Sequence, residues 1–271
     1  MREDYKFLSL RGERVFSAHH FPTSPASRAI VMCHPLGEEK LWSQRVFVNF
    51  ARDMAAAGYA VMRFDFRGEG DSDRCFEQSD LETRIEDTSL AIDTVRQLNR
   101  SLTEITLLGL RFGAIVAAMT ATRRSEVSRL VLWDAISDGA AYMQSVLRLN
   151  LMYQMAQHRK INENREALAA RLAGGGTVNI EGYEMSEPLF RQASEFGLRR
   201  ELAPFHGQAL LVQVNQDDGP IRSDLAELSS TVRGCRVETV SEEPFWREIK
   251  TFYQCAAKLT QVTRRFLEQP A

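Results

Sequence analysis

The sequence predicts a mostly parallel, doubly wound α/β sheet, with an antiparallel pair at its N-terminal edge and one helical insert. Three observations predict it. RAIVMC is a continuous apolar run after its first residue, and EITLLG and QALLVQV are apolar at most positions, as suits strands buried on both faces of a parallel sheet. Helical periodicity fills the spaces between those runs, which is the strand–helix alternation of a wound sheet. The alternation breaks once, between Asp134 and Gln208, where no strong strand pattern occurs.

Taken in order, Tyr5–Leu10 and Arg14–Phe21 alternate as an antiparallel pair. Arg28–Cys33 is the first fully buried strand and runs into His34-Pro35. Ser43–Ala57 is helical and stops at Gly58, a residue suited to the left-handed position after a helix. Tyr59–Asp65 is a strand, Leu81–Asn99 a helix, Glu104–Gly109 a strand, Phe112–Arg123 a helix of small residues and Ser128–Asp134 a strand. Residues 138–158, 161–172 and 187–196 read as helices, with Gly174-Gly175-Gly176 as a flexible break. The sheet resumes with Gln208–Val214, a helix over 221–232 and the strand Cys235–Val240. A last helix is predicted from Pro244 to about Leu267, since proline suits a first helical turn. The division is therefore a core of residues 1–135 and 205–271, with an insert of 136–204. An insert of that length between two core strands is commonly a functional lid.

The composition narrows the function classes. The 271 residues carry 34 Lys+Arg against 36 Asp+Glu, a net charge of −2. Neither that balance nor any basic run favours nucleic acid or an anionic membrane as partner. No stretch approaches the roughly 20 apolar residues of a membrane span, and the charged start MREDYK has no apolar segment of a secretory signal behind it. The four cysteines, Cys33, Cys75, Cys235 and Cys255, are scattered. They read as reduced thiols of a cytoplasmic protein, with neither a zinc site nor a cofactor called for.

Three segments carry the chemistry: VMCHPLG (31–37), FDFRGEGDS (64–72) and LLGLRFGA (107–114). In order and spacing they resemble α/β hydrolases over nearly the whole chain, with the insert at that superfamily's cap position. In the second segment, Asp65, Arg67 and the glycines read as turn-shaping rather than catalytic residues. The third matches the nucleophile elbow, G-x-S-x-G, a strained strand-to-helix turn with serine at its tip. Here Gly109 and Gly113 remain and the tip is Arg111. A guanidinium stays protonated and cannot serve as an acyl-accepting nucleophile. The resemblance puts the acid after Gln208–Val214, where Asp217 and Asp218 stand, and the base after Cys235–Val240, where SEEPFW (241–246) offers no histidine. An ordinary Ser–His–Asp hydrolysis is thus not expected. A narrower similarity lies in GLRFGA, the HPLGEE loop (34–39), the run from Trp133 and EPFWREI (243–249). These resemble the second hydrolase-like protein that accompanies bacterial exosortase A systems, which anchor proteins and handle exopolysaccharide.

Two readings of Arg111 stand side by side. With the Phe112 and Leu36 N–H groups, which the resemblance places in an oxyanion hole, it makes a receptor for a small anion. Alternatively it pairs internally with Glu38, Glu39, Asp217 or Asp218, since an unpaired buried guanidinium is costly. Glu38 and Glu39 are also candidate acid/base groups, because burial can raise one carboxyl pKa. His34 is a candidate binding residue, with a packed, backbone-bonded role as its alternative. Trp246 either lines an open pocket or, with Phe245, fills a collapsed one. Tyr142, Met143, Met152, Tyr153 and Met155 would give a ligand's acyl part an apolar roof, and Val146–Met155 offers a face for a homodimer.

Overall fold

The computed structural model describes residues 1–217, 219–248 and 253–270. Eight strands form one sheet in the order β1-β2-β4-β3-β5-β6-β9-β10. β1 (Arg2–Leu10) and β2 (Glu13–Phe21) form the antiparallel edge, and β2 also runs antiparallel to β4 (Ala60–Phe64). The other pairs are parallel: β3 (Arg28–Cys33) with β4 and with β5 (Glu104–Leu110), then β6 (Val127–Trp133), β9 (Gln208–Asn215) and β10 (Cys235–Ser241).

The apolar runs have a direct cause. In β5, Ile105 and Leu107 pack into one core while Leu108 and Leu110 pack into the other, and β6 divides Leu130 and Leu132 from Val131 and Trp133 in the same way. Successive strand side chains point to opposite faces, so helices on both faces require every position to be apolar. One core is closed by α2 (Leu81–Leu98) and α3 (Phe112–Arg123), the other by α1 (Glu38–Ala56) and α9 (Ala257–Leu267).

Between β6 and β9 the chain folds as α4 (Gly139–His158), α5 (Arg165–Ala173), β7 (Thr177–Ile180), β8 (Tyr183–Ser186), α6 (Glu187–Ser194) and α7 (Leu198–Leu202); α8 (Ser223–Thr231) follows β9. The β7–β8 hairpin corrects the expectation that no strand lies in this stretch. Its strands have four residues each and its turn is Glu181-Gly182, both at positive φ (52° and 97°). That backbone matches a tight hairpin turn without the Asn-Gly or Asp-Gly pair that usually announces one.

The last helix is also shorter than expected. It begins at Ala257, not near Pro244; residues 244–246 instead form a turn in which the Arg247 N–H donates to the Pro244 carbonyl at 3.0 Å. Phe245 and Trp246 are buried in the α1/α9 core, Phe245 stacked 6.0 Å from Tyr253. Glu242 accepts the Lys258 N–H at 2.6 Å, so a carboxylate far upstream fixes the start of α9. Residues 249–252, which fall within the expected helix, lie outside the described residues.

Candidate functional site

The turn from β5 to α3 is closely packed. A Cβ on Gly109 would sit 2.2 Å from the Gly113 carbonyl oxygen, and one on Gly113 would sit 2.2 Å from that of Cys33. Only glycine fits at either position. Arg111, at the tip, has φ 53° and ψ −115° and caps α3. Such a conformation costs a non-glycine residue about 1–3 kcal/mol and persists only where its surroundings enforce it.

The Arg111 side chain turns toward two carboxylates. Nε donates to Glu39 Oε1 at 3.2 Å and Nη1 to Asp134 Oδ2 at 3.1 Å. Its guanidinium carbon lies 5.4 Å from the Tyr142 ring centroid and 5.7 Å from that of Trp246, within cation–π range. Nη2 has no partner among the described residues. Burial alone would lower the guanidinium pKa, but the charges of Glu39 and Asp134 and the bond to Glu39 carry it above its ordinary value. Burial raises the Glu39 carboxyl above the usual range against the pull of Arg111, and Glu39 Oε2 is buried without a partner among the described residues. Tyr142 is pushed up by burial and by Glu39, so its phenol stays protonated.

Arg111, Glu39, Tyr142 and Trp246 line a cavity of about 680 Å³. Its walls are largely apolar and come from the insert and from α1: Trp42, Val146, Leu149, Ile180, Tyr183 and Met185. Glu38, Glu39, Glu181 and Glu248 line it against Arg111 and Arg247, so acids outnumber bases. The Leu36 and Phe112 N–H groups flank the elbow without a hydrogen-bond partner among the described residues.

The structure gathers some of the sequence-predicted residues and separates others. Leu36, Glu38, Glu39, Arg111 and Trp246 all line the cavity, and Phe112 follows Arg111 with its ring buried in the core. Trp246 stacks on Arg111 at the cavity edge while Phe245 is buried beneath it. Asp217 is exposed and its carboxylate makes no bond among the described residues; Asp218 lies outside them. The partner that Asp217 was expected to supply is Asp134. Sheet register explains this: Leu110 pairs with Trp133, so the residues one step further, 111 and 134, are neighbours at the same sheet end. That signal was present in the order of the strands.

His34 stands outside the large cavity. Its Nδ1 bonds the Pro35 carbonyl at 2.8 Å, the Phe66 N–H reaches Nε2 at 3.4 Å, and the ring packs 4.5 Å from Phe66. Burial drives its pKa well below the ordinary value, so it is a neutral packing residue. Asp65 pairs with Lys40 at 2.7 Å, and Arg67 reaches Asp87, Glu86 and Glu13. The FDFRGEGDS segment is thus pinned to α1, α2 and β2. Arg84 and Glu69 form a fully buried pair at 2.6 Å behind it. Among the described residues no cluster of three or more metal-binding side chains occurs.

Comparison with known proteins agrees with this geometry. The family described as serine aminopeptidase, S33 matches residues 24–172, more than half of the chain. An uncharacterized protein of Rickettsia prowazekii (strain Madrid E) is 33% identical over 111 residues, which are 40% of this chain and 45% of that protein. The chain thus matches less than half the length of that curated relative. Among solved structures, Est1E from Butyrivibrio proteoclasticus with bound ferulic acid superposes with a TM-score of 0.70 at 15% identity, over 97% of each chain. A thioesterase domain from the curacin biosynthetic pathway gives 0.58 at 18%, over 97% of this chain and 99% of that one. A proline iminopeptidase of Mycobacterium smegmatis gives 0.62 at 13%, over 98% of each. At these identities the likeness is one of fold, and the fold is that of the α/β hydrolases.

Proposed function

The chain belongs to the serine aminopeptidase S33 family, and from that premise we propose that it binds the acyl part of a small molecule at the elbow without serine-based hydrolysis. One observation carries the reading: the strained tip, the place from which a hydrolase of this fold presents its nucleophile, holds Arg111, clamped between Glu39 and Asp134. An apolar cavity opens in front of it. Of the two ligand classes the sequence raised, acyl is the better supported. The walls are apolar, and the charge of Arg111 is already answered by two carboxylates. An anionic head fits only once Glu39 has taken up a proton. A carbonyl oxygen needs no such step, since Arg111 Nη2, the Tyr142 hydroxyl and the Leu36 and Phe112 N–H groups are donors without an assigned partner.

The same reading makes residues 136–204 the lid over the acyl group and Val146–Met155 a face for self-association. It makes the protein a cytoplasmic accessory of an exosortase or exopolysaccharide system, on the strength of the GLRFGA, HPLGEE and EPFWREI segments. A second reading has one observation in its favour. Burial raises the carboxyl of Glu39, which lines the cavity beside Arg111, as it would for a general acid acting on a bound ester or thioester.

The test is a thermal-shift and calorimetric screen of acyl-CoAs, fatty acyl esters and phosphosugars. An acyl ligand should raise the melting temperature by mass action, and Arg111→Ala should weaken it about tenfold or more, the scale of losing a charge-assisted contact. The wild type should show no stoichiometric fluorophosphonate labelling, and Arg111→Ser alone should gain no efficient p-nitrophenyl esterase activity, because no free imidazole stands nearby. Active-site labelling of the wild type, or unchanged affinity in Arg111→Ala, would overturn the reading. Turnover of a thioester that disappears in Glu39→Gln would favour the second.

A further inference from the structure

A smaller cavity, of about 280 Å³, lies between the start of α1 and the strands β1, β2 and β4. The rings of Tyr5, Phe16 and Phe47 line it beside Arg63, together with Ala18 and Met32.

Arg63 differs from the arginines of this chain that face carboxylates. A guanidinium out of water is costly unless a carboxylate faces it. Arg67 has three, Arg84 has Glu69, Arg111 has Glu39 and Asp134, and Arg129 has Glu104. Arg63 is partly buried and forms no ion pair among the described residues. Its Nε–H donates to His20 Nε2 at 3.1 Å, and neither terminal nitrogen has a partner there. His20 supplies no charge: burial pulls its pKa down to about 4, and its Nδ1 lies 3.2 Å from Glu3. Glu3 is itself taken by Arg52 at 2.6 Å and by the Tyr5 hydroxyl at 2.6 Å. Lys40 is matched by Asp65 at 2.7 Å. Asp71, at the rim, is exposed and its charge is screened by solvent. Burial lowers the Arg63 pKa, against the opposing pull of Tyr5, Asp65 and Glu3.

We propose that this cavity is a second ligand site, which takes a small aryl carboxylate. The carboxylate supplies the missing counter-ion at the two free nitrogens of Arg63, a contact favoured by the planar guanidinium fork. The ring lies beside Tyr5, Phe16 and Phe47. The volume falls just under the range of about 300–1,000 Å³ typical of drug-sized ligands, which suits a single ring. A bare inorganic anion would leave those walls without a partner.

The probes are benzoate, benzyl alcohol and acetate, titrated calorimetrically against the wild type. Benzoate should bind saturably, and about tenfold or more tighter than either the uncharged ring or the ringless acid. Arg63→Gln should weaken benzoate about tenfold, while Arg111→Ala leaves it unchanged. Gln44→Trp, at an exposed position of α1 on the cavity edge, should block it without touching the core and serves if Arg63→Gln fails to fold. The proposal is overturned by equal affinity for benzoate and benzyl alcohol, by undiminished binding in Arg63→Gln or in folded Gln44→Trp, by loss in Arg111→Ala, or by absence of saturable binding.

Discussion

At the scale of single residues, Glu39 decides when Arg111 is available. Its carboxyl pKa is raised by burial, so in the folded protein it takes up a proton at a pH where an exposed glutamate would still be charged. Protonation removes one of the two charges on the guanidinium. Affinity for an acyl ligand with an anionic head should therefore rise as pH falls through the raised Glu39 value, with about one proton taken up per ligand bound. For stability the sign runs the same way. The raised pKa contributes stability that is complete below the ordinary glutamate value and is lost as pH climbs through the folded one. Glu39→Gln should bind such a ligand more tightly at neutral pH and flatten the dependence. Calorimetry in two buffers of different ionisation enthalpy measures the proton count. A count near zero in the wild type, or a pH profile unchanged in Glu39→Gln, would refute the coupling.

At the scale of elements, the elbow is the least forgiving. Gly113→Ala places a methyl group 2.2 Å from the backbone oxygen of Cys33, and neither backbone can yield without parting α3 from β3. We expect a loss well above the ~1 kcal/mol that glycine-to-alanine changes involve elsewhere, read by denaturant midpoint; a shift smaller than that would mean that the turn relaxes freely. How far each element was legible follows from how local its cause is. The core strands and α3 were readable because burial on both faces writes itself into every residue, and because Gly109 and Gly113 keep their spacing. β7 and β8 were not, since four-residue strands around Glu181-Gly182 carry too few alternations to stand out. The stretch from Pro244 misled because its residues look helical while the burial of Phe245 and Trp246, a long-range effect, sets their path. In the site, Arg111 and Glu39 were visible as a charge at a turn and an acid beside it. Asp134 required knowing which strands are neighbours, and His34 required knowing that Phe66 and Pro35 would enclose it.

At the scale of the whole molecule, two buried charge networks tie the loop after β4 to the rest of the sheet. One joins Arg67 to Glu13, Glu86 and Asp87, and the other joins Arg84 to Glu69. Replacing Arg84 by Met should cost about 3–5 kcal/mol, because the buried Glu69 loses its guanidinium partner. Adding Glu69→Gln should recover part of that loss, and thermal melts of the three variants decide between an ionic and a purely packing role. No described helix is long and apolar enough to cross a membrane. The clamp on Arg111 also has a kinetic consequence. A cation flanked by Glu39 and Asp134 projects little field beyond the cavity mouth, and Glu38, Glu181 and Glu248, which also line the cavity, would slow an approaching anion rather than draw it in. Capture should then be governed by diffusion and by the width of the opening. Its rate should vary little with ionic strength for a neutral acyl compound, and compounds that share that opening should differ mainly in how long they stay.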